Sequence, residues 1–175
     1  MQKVCGTEFF TCLIINTDNK TAYLQKKTAG RYSFDRPDHM PDHMDVTVGG
    51  HYEAGEDLEA GIRELEEETG LTASFKDLVP LGQRQTSVVL AENYNNNEFQ
   101  HVFLLPTQHK IEDFKFTEDE VCGMVEIPIF EGIKLMRGEL PELNVKGGFL
   151  DTESSEGKKL VDMIKLQHSL FLQNP

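Results

Sequence analysis

The stretch Gly49–Leu71, GGHYEAGEDLEAGIRELEEETGL, constrains this chain more than any other. Its two opening glycines, with a third at Gly55, predict a loop, and the residues after them a helix that ends at Thr69–Gly70. Gly70 stands where a helix C-cap in the left-handed region is expected. At about 100° per residue, Leu58, Ile62, Leu65 and Thr69 fall within an arc of roughly 60°, which predicts the buried stripe. Glu64, Glu67 and Glu68 fall at i, i+3 and i+4 on a different side. Like charges so spaced cost on the order of a few tenths of a kcal/mol per pair in an isolated helix. A hard divalent cation bound through carboxylate oxygens would offset that repulsion. Glutamate-rich helices are more often plain solvated faces, so the three carboxylates alone do not decide between the two readings.

The wider segment resembles the Nudix box, whose usual form is G-x5-E-x7-R-E-U-x-E-E-x-G-U, with U aliphatic. Arg63-Glu64-Leu65-Glu66-Glu67-Glu68-Thr69-Gly70-Leu71 fits the second half at every position, and Gly50 and Glu56 fit the first half. The departure is that six residues, not seven, separate Glu56 from Arg63; counting back from Arg63 puts Gly55 at the first glutamate position. The shortened box resembles the isomerase-like branch of the family, whose substrates are unassigned. The resemblance implies an α+β fold, an α/β/α sandwich in which a mixed β-sheet carries the loop-helix and a C-terminal helix. It also implies hydrolysis of a diphosphate linked to another moiety X, with Mg²⁺ or Mn²⁺ and a water nucleophile. Glu67 and Glu68 are then the first metal ligands, Glu64 a ligand or the base, Glu56 part of a second metal's shell, and the backbone carbonyl of Gly49 or Gly50 a further donor. Arg63 orients the glutamates. The general base is the helix glutamate or an acid on a later loop, where Glu118 and Glu120 are the candidates.

At 175 residues the chain suits one domain, residues 1–175. No apolar run approaches the roughly 18 residues that a membrane span needs, and the N-terminus lacks the pattern of a secretory signal. Three cysteines, Cys5, Cys12 and Cys122, widely spaced and without a C-x-x-C pair, predict reduced thiols in a cytoplasmic protein. A formal net charge of −13 argues against a nucleic-acid partner. The expected partner is a small-molecule diphosphate, which could approach so acidic a site only with metal ions screening the charge. Members of the family often dimerise, and no residue pattern here decides between monomer and homodimer.

Along the chain, Thr7–Asn16 and Thr21–Lys27 predict a strand pair about the turn at Thr17–Lys20. In relatives a basic residue after this second strand faces substrate phosphates, a role open to Lys26 or Lys27. Thr28–Met44 predicts a loop; it holds the direct repeat Pro37–Met40 and Pro41–Met44, whose His39, His43, Asp38 and Asp42 cannot share a helix face with proline at every fourth position. Asp45–Val48 predicts a short strand entering a Gly-Gly turn. Strands are predicted within Ser74–Gln83, at Arg84–Glu92, at Glu98–Leu105 ended by Pro106, and at Val121–Ile127, with a turn at Asn93–Asn97. His101 reads as a structural histidine. Thr107–Glu120 reads as a mobile acidic loop, Ile129–Arg137 as a helix, Gly138–Gly148 as a loop, and Ser154–Leu172 as a long helix.

Two rival functions use the same fold. A non-catalytic nucleotide or metabolite sensor would often lack box glutamates, and here all the principal ones are present. An isopentenyl-diphosphate isomerase uses a cysteine on the strand leading to the box, whereas Asp45–Val48 contains no thiol.

Overall fold

The strand β1 (Thr7–Asn16) is apolar along both faces, and the sheet is assembled on it. The computed structural model describes residues 7–27, 43–91, 94–115, 121–150 and 159–171. Within these, β2 (Thr21–Lys27), β3 (Met44–Asp45), β4 (Val48–His51), β5 (Val79–Ala91), β6 (Tyr94–Thr107), β7 (Val121–Pro128), β8 (Glu142–Leu150) and β9 (Lys159–Gln167) join β1 in one sheet. The order is β5-β6-β1-β2-β7-β8-β9, with β3 on β2 and β4 on β1. β1 runs parallel to β6 and antiparallel to β2 and β4, so the sheet is mixed.

Side chains alternate across a strand, and here both faces are buried. Phe10, Cys12 and Ile14 of β1 pack with Tyr23, Met124 and Leu65, the last from helix α1 (Arg63–Thr69). Ala22, Leu24, Val125 and Ile127 pack on the other face with Leu135 of helix α2 (Ile129–Met136), joined by Leu13 and Ile15. One core on each side of the sheet is the expected α/β/α arrangement.

One detail prepares the site. β1 pairs with β2 only at Ile15 and Asn16, and with β4 from Phe9 to Cys12. At the fork, the buried Thr47 hydroxyl accepts the Ile14 N–H at 2.9 Å and donates to the Tyr23 carbonyl. A fork in a ladder strands backbone groups away from water, and this hydroxyl satisfies one on each strand. β4 is thereby held over the opening and α1 lies against it.

Several expectations are corrected. Gly49 and Gly50 form no turn; they lie in β4, opposite Thr11 and Phe10. The two strands expected across Ser74–Glu92 are the single β5, preceded by a 3-10 turn at Phe75–Asp77. Tyr94–Asn97 belong to β6, paired with β5 as far as Ala91 opposite Tyr94; asparagine tolerates a turn but does not require one, and the Ser87 hydroxyl donates to Asn97 Oδ1 at 2.7 Å across the ladder. Pro106 does not end β6, because β5 pairs only as far as Leu104 and the missing N–H falls on an open edge. Ile111 and Phe114, within the expected acidic loop, are buried in the first core around a 3-10 turn at Ile111–Asp113.

The largest correction is at the C-terminal end. Gly138–Gly148 is not all loop, and Lys159–Gln167, the described core of the helix expected at Ser154–Leu172, is a strand: β8 and β9 form an antiparallel hairpin, Val145 opposite Ile164 and Leu143 opposite Leu166. The Leu160–Ile164 spacing of four fits a helix turn and also two strand repeats. Leu166 is fully buried while Met163 is exposed, which is strand alternation. Gly147 and Gly148 weakened the strand signal of β8. Yet the Phe149 ring lies over Gly147 and its cross-strand partner Gly123, where added β-carbons would meet it at 2.3 and 2.2 Å. Among the described residues no helix is long and apolar enough to cross a membrane.

Candidate active site

From the end of β4 the chain runs through a loop to a 3-10 turn at Leu58–Ile62, and then directly into α1. The Asp57 carboxylate starts the turn, accepting the Glu59 and Ala60 N–H groups at 3.1 Å each. Gly70 stops α1 with φ 67°, its N–H returning to the Glu66 carbonyl at 2.8 Å. The predicted stripe holds at Ile62, Leu65 and Thr69 but not at Leu58, which is 44% exposed. A 3-10 turn advances about 120° per residue, so Leu58 falls off a stripe drawn at the α-helical angle.

Two glutamates one turn apart on α1 face the backbone of β4. Glu68 is buried, and its Oε2 accepts the Gly49 N–H at 2.8 Å. The same oxygen lies 3.5 Å from Nε2 of Gln25 on β2. The Glu64 carboxyl occupies the space above Gly50: a β-carbon there would meet its atoms at 2.1–2.4 Å. Glu67 and Glu66 are exposed.

Arg63 ties the loop to the helix. Its Nη1 reaches both oxygens of Glu56, at 3.0 and 2.9 Å, while Nη2 donates to the His51 carbonyl at 3.0 Å and stands 3.1 Å from Glu64 Oε1. Partial desolvation pulls its pKa down, but Glu64, Glu56 and Glu67 outweigh this and hold it above the usual arginine value. Arg63 stays charged at any working pH.

The donor set fits a hard divalent cation. Every polar atom offered by Glu64, Glu67, Glu68 and the β4 carbonyls is oxygen, the preference of Mg²⁺ and Mn²⁺. The missing side chain at Gly50 makes the room that the Glu64 carboxyl fills. Deep in the same corner, Gln25 Oε1 is buried with no hydrogen-bond partner among the described residues. Among the described residues no group of three or more His, Cys, Asp or Glu side chains is gathered closely enough to hold an ion. Glu64 and Glu68 are brought onto β4, Glu67 faces solvent, and Glu56 is engaged by Arg63.

The profile of the NUDIX domain matches residues 9–134. The chain belongs to the Nudix family. An uncharacterized Nudix hydrolase of Clostridium acetobutylicum is 28% identical over 151 residues, covering 85% of this chain and 70% of that protein. A MutT Nudix hydrolase from Burkholderia pseudomallei shares the fold at a TM-score of 0.54 and 14% identity, over 71% of this chain and 84% of its own. A MutT protein from Methanosarcina mazei does so at 0.51 and 21% identity, over 71% and 78%.

With the family in hand, the box residues can be sorted by what they touch. Glu56, Arg63 and Glu64 form one connected set beside Gly50, Glu68 bonds Gly49, and the shortened box leaves Glu56, not Gly55, in contact with Arg63. Glu118 and Glu120 lie outside the described residues, as do Asp38, His39 and Asp42. His101 bonds Glu8 through Nε2 and meets the Tyr52 ring edge-on, the structural role expected of it. Sequence reasoning passed over Gln25 and Thr47. The signal for Gln25 was available: in TAYLQKK it shares the inward phase with Tyr23, and a polar residue at a core position is either an error or functional.

Proposed function

We propose that this Nudix protein hydrolyses the diphosphate bond of a nucleoside diphosphate linked to another moiety X, using Mg²⁺ or Mn²⁺ held by Glu68, Glu64 and Glu67 with the carbonyl of Gly50. The observation that carries this reading is the pair Glu64 and Glu68, set against the Gly49–Gly50 backbone. A bound ion there would screen the phosphates, lower the pKa of water and stabilise the leaving oxygen. Glu68 acts as an anchored ligand, because the Gly49 N–H fixes one of its oxygens. Arg63 orients Glu64 and Glu56 and does not touch substrate. Glu56 serves a second ion only if its bonds to Arg63 open. Glu64 or Glu120 takes the proton from the attacking water. The role of a basic residue that meets the substrate phosphates is open to Lys26 or Lys27, at the end of β2.

Residues 1–175 act as one domain, on a small molecule and not on nucleic acid. A reducing, cytoplasmic setting agrees with Cys12 and Cys122, which form no disulfide among the described residues. The test is a panel of nucleoside diphosphate derivatives incubated with Mg²⁺, with Mn²⁺, or with EDTA. Cleavage of the diphosphate link yields two phosphate monoesters, so inorganic phosphate should appear only after phosphatase treatment and only with metal. No cleavage of any substrate with either ion would count against the reading.

A further inference from the structure

Gln25 sits in the middle of β2, wholly excluded from solvent, on the face that carries Tyr23. A buried carboxamide needs partners for two N–H groups and for its oxygen, and leaving any of them unmet costs stability. Here Nε2 stands 3.5 Å from Glu68 Oε2, and Oε1 has no partner among the described residues. Leucine or methionine would fill the same space without that cost. An amide kept at such a place is accounted for by what it faces, and what it faces is the most buried acid of α1.

We propose that Gln25 is a positioning residue of the metal site. Its N–H, 3.5 Å from the same Glu68 oxygen that accepts the Gly49 N–H, orients that carboxylate at the ion's site. Its Oε1, buried on the same carboxamide, would accept a hydrogen from a water held by the ion. The two contacts are of the outer-shell kind that orient carboxylate ligands and raise metal affinity. β2 thus contributes to a site otherwise built from β4 and α1. The inference rests on the metal reading given above.

The test titrates Mn²⁺ alone into the full-length protein, following free Mn²⁺ by electron paramagnetic resonance. Wild type, Gln25→Leu, Gln25→Met and Glu68→Gln are compared, with thermal midpoints measured in parallel. Both Gln25 variants should bind Mn²⁺ about tenfold more weakly, with a thermal midpoint equal to or above that of wild type. The flexible methionine keeps the comparison open should leucine fail to pack. Unchanged Mn²⁺ affinity in the Gln25 variants, with binding weakened in Glu68→Gln, overturns the proposal and leaves the metal reading standing. Unchanged affinity in Glu68→Gln as well overturns the metal reading, and the role of Gln25 with it.

Discussion

The Glu64 carboxyl carbon lies 2.1 Å from the point where a β-carbon on Gly50 would stand. The two cannot coexist, so Gly50→Ala must push Glu64 away from β4. The displaced group is the end of a flexible side chain, so the fold should survive at a cost of about 1 kcal/mol. A ligand or base moved by about 1 Å costs catalysis about 100-fold. We expect kcat to fall by that order while the circular dichroism spectrum is unchanged. Full activity in Gly50→Ala would contradict the placement of Glu64.

Arg63 grips Glu56 through a single nitrogen, Nη1, and uses Nη2 for Glu64 and the His51 carbonyl. Lysine, a point charge, cannot hold all three. Arg63→Lys should therefore lower kcat by about tenfold or more, while stability, set by a pair that is partly exposed, changes by less than about 1 kcal/mol. Steady-state kinetics beside chemical denaturation separates the two effects.

How much of this was legible in the sequence follows from which physical signals are local. The box, β1, β2, β7 and α2 were legible because composition, spacing and the caps at Pro128 and Gly70 agree with the final structure. The β8–β9 hairpin was not. Gly147 and Gly148 weaken the strand signal of β8, and the apolar residues of β9 at a spacing of four satisfy helix and strand alike. At the site, the carboxylates were legible as a helix face, but their orientation depends on the fork between β1 and β2 and on Gly49 and Gly50 lying in a strand. No local pattern announces a fork.

The hairpin itself can be tested by substitution. In a helix Met163 and Leu166 would share a face; in β9 they point to opposite sides, Met163 exposed at 62% and Leu166 buried. Leu166→Ala should cost about 2–5 kcal/mol, and Met163→Ala should change stability by less than about 0.5 kcal/mol. Similar losses at both positions would contradict the strand.

Stability should fall at alkaline pH. Burial pushes the Cys12 thiol from 9.0 to about 12, and burial likewise raises the Tyr23 and Tyr52 phenols to about 12. The folded state keeps these protons after the unfolded chain has lost them, so stability is fully present below pH 9 and is lost as pH rises towards 12. Each group that has ionised only in the unfolded chain steepens the decline by about 1.4 kcal/mol per pH unit. Denaturation midpoints between pH 7 and 11 should be flat at first and then drop, and Cys12→Ala should show a shallower alkaline limb.

Glu68→Gln probes the central claim most directly, because it removes one charge from the most buried acid of the site and keeps the shape of the side chain. Hydrolysis of the best substrate in the panel should fall about 100- to 1,000-fold, with weaker Mn²⁺ binding and a thermal midpoint equal to or above that of wild type. Unchanged hydrolysis in a variant whose stability has dropped would show instead that Glu68 is a structural acid and that the metal-bearing face of α1 has been misassigned.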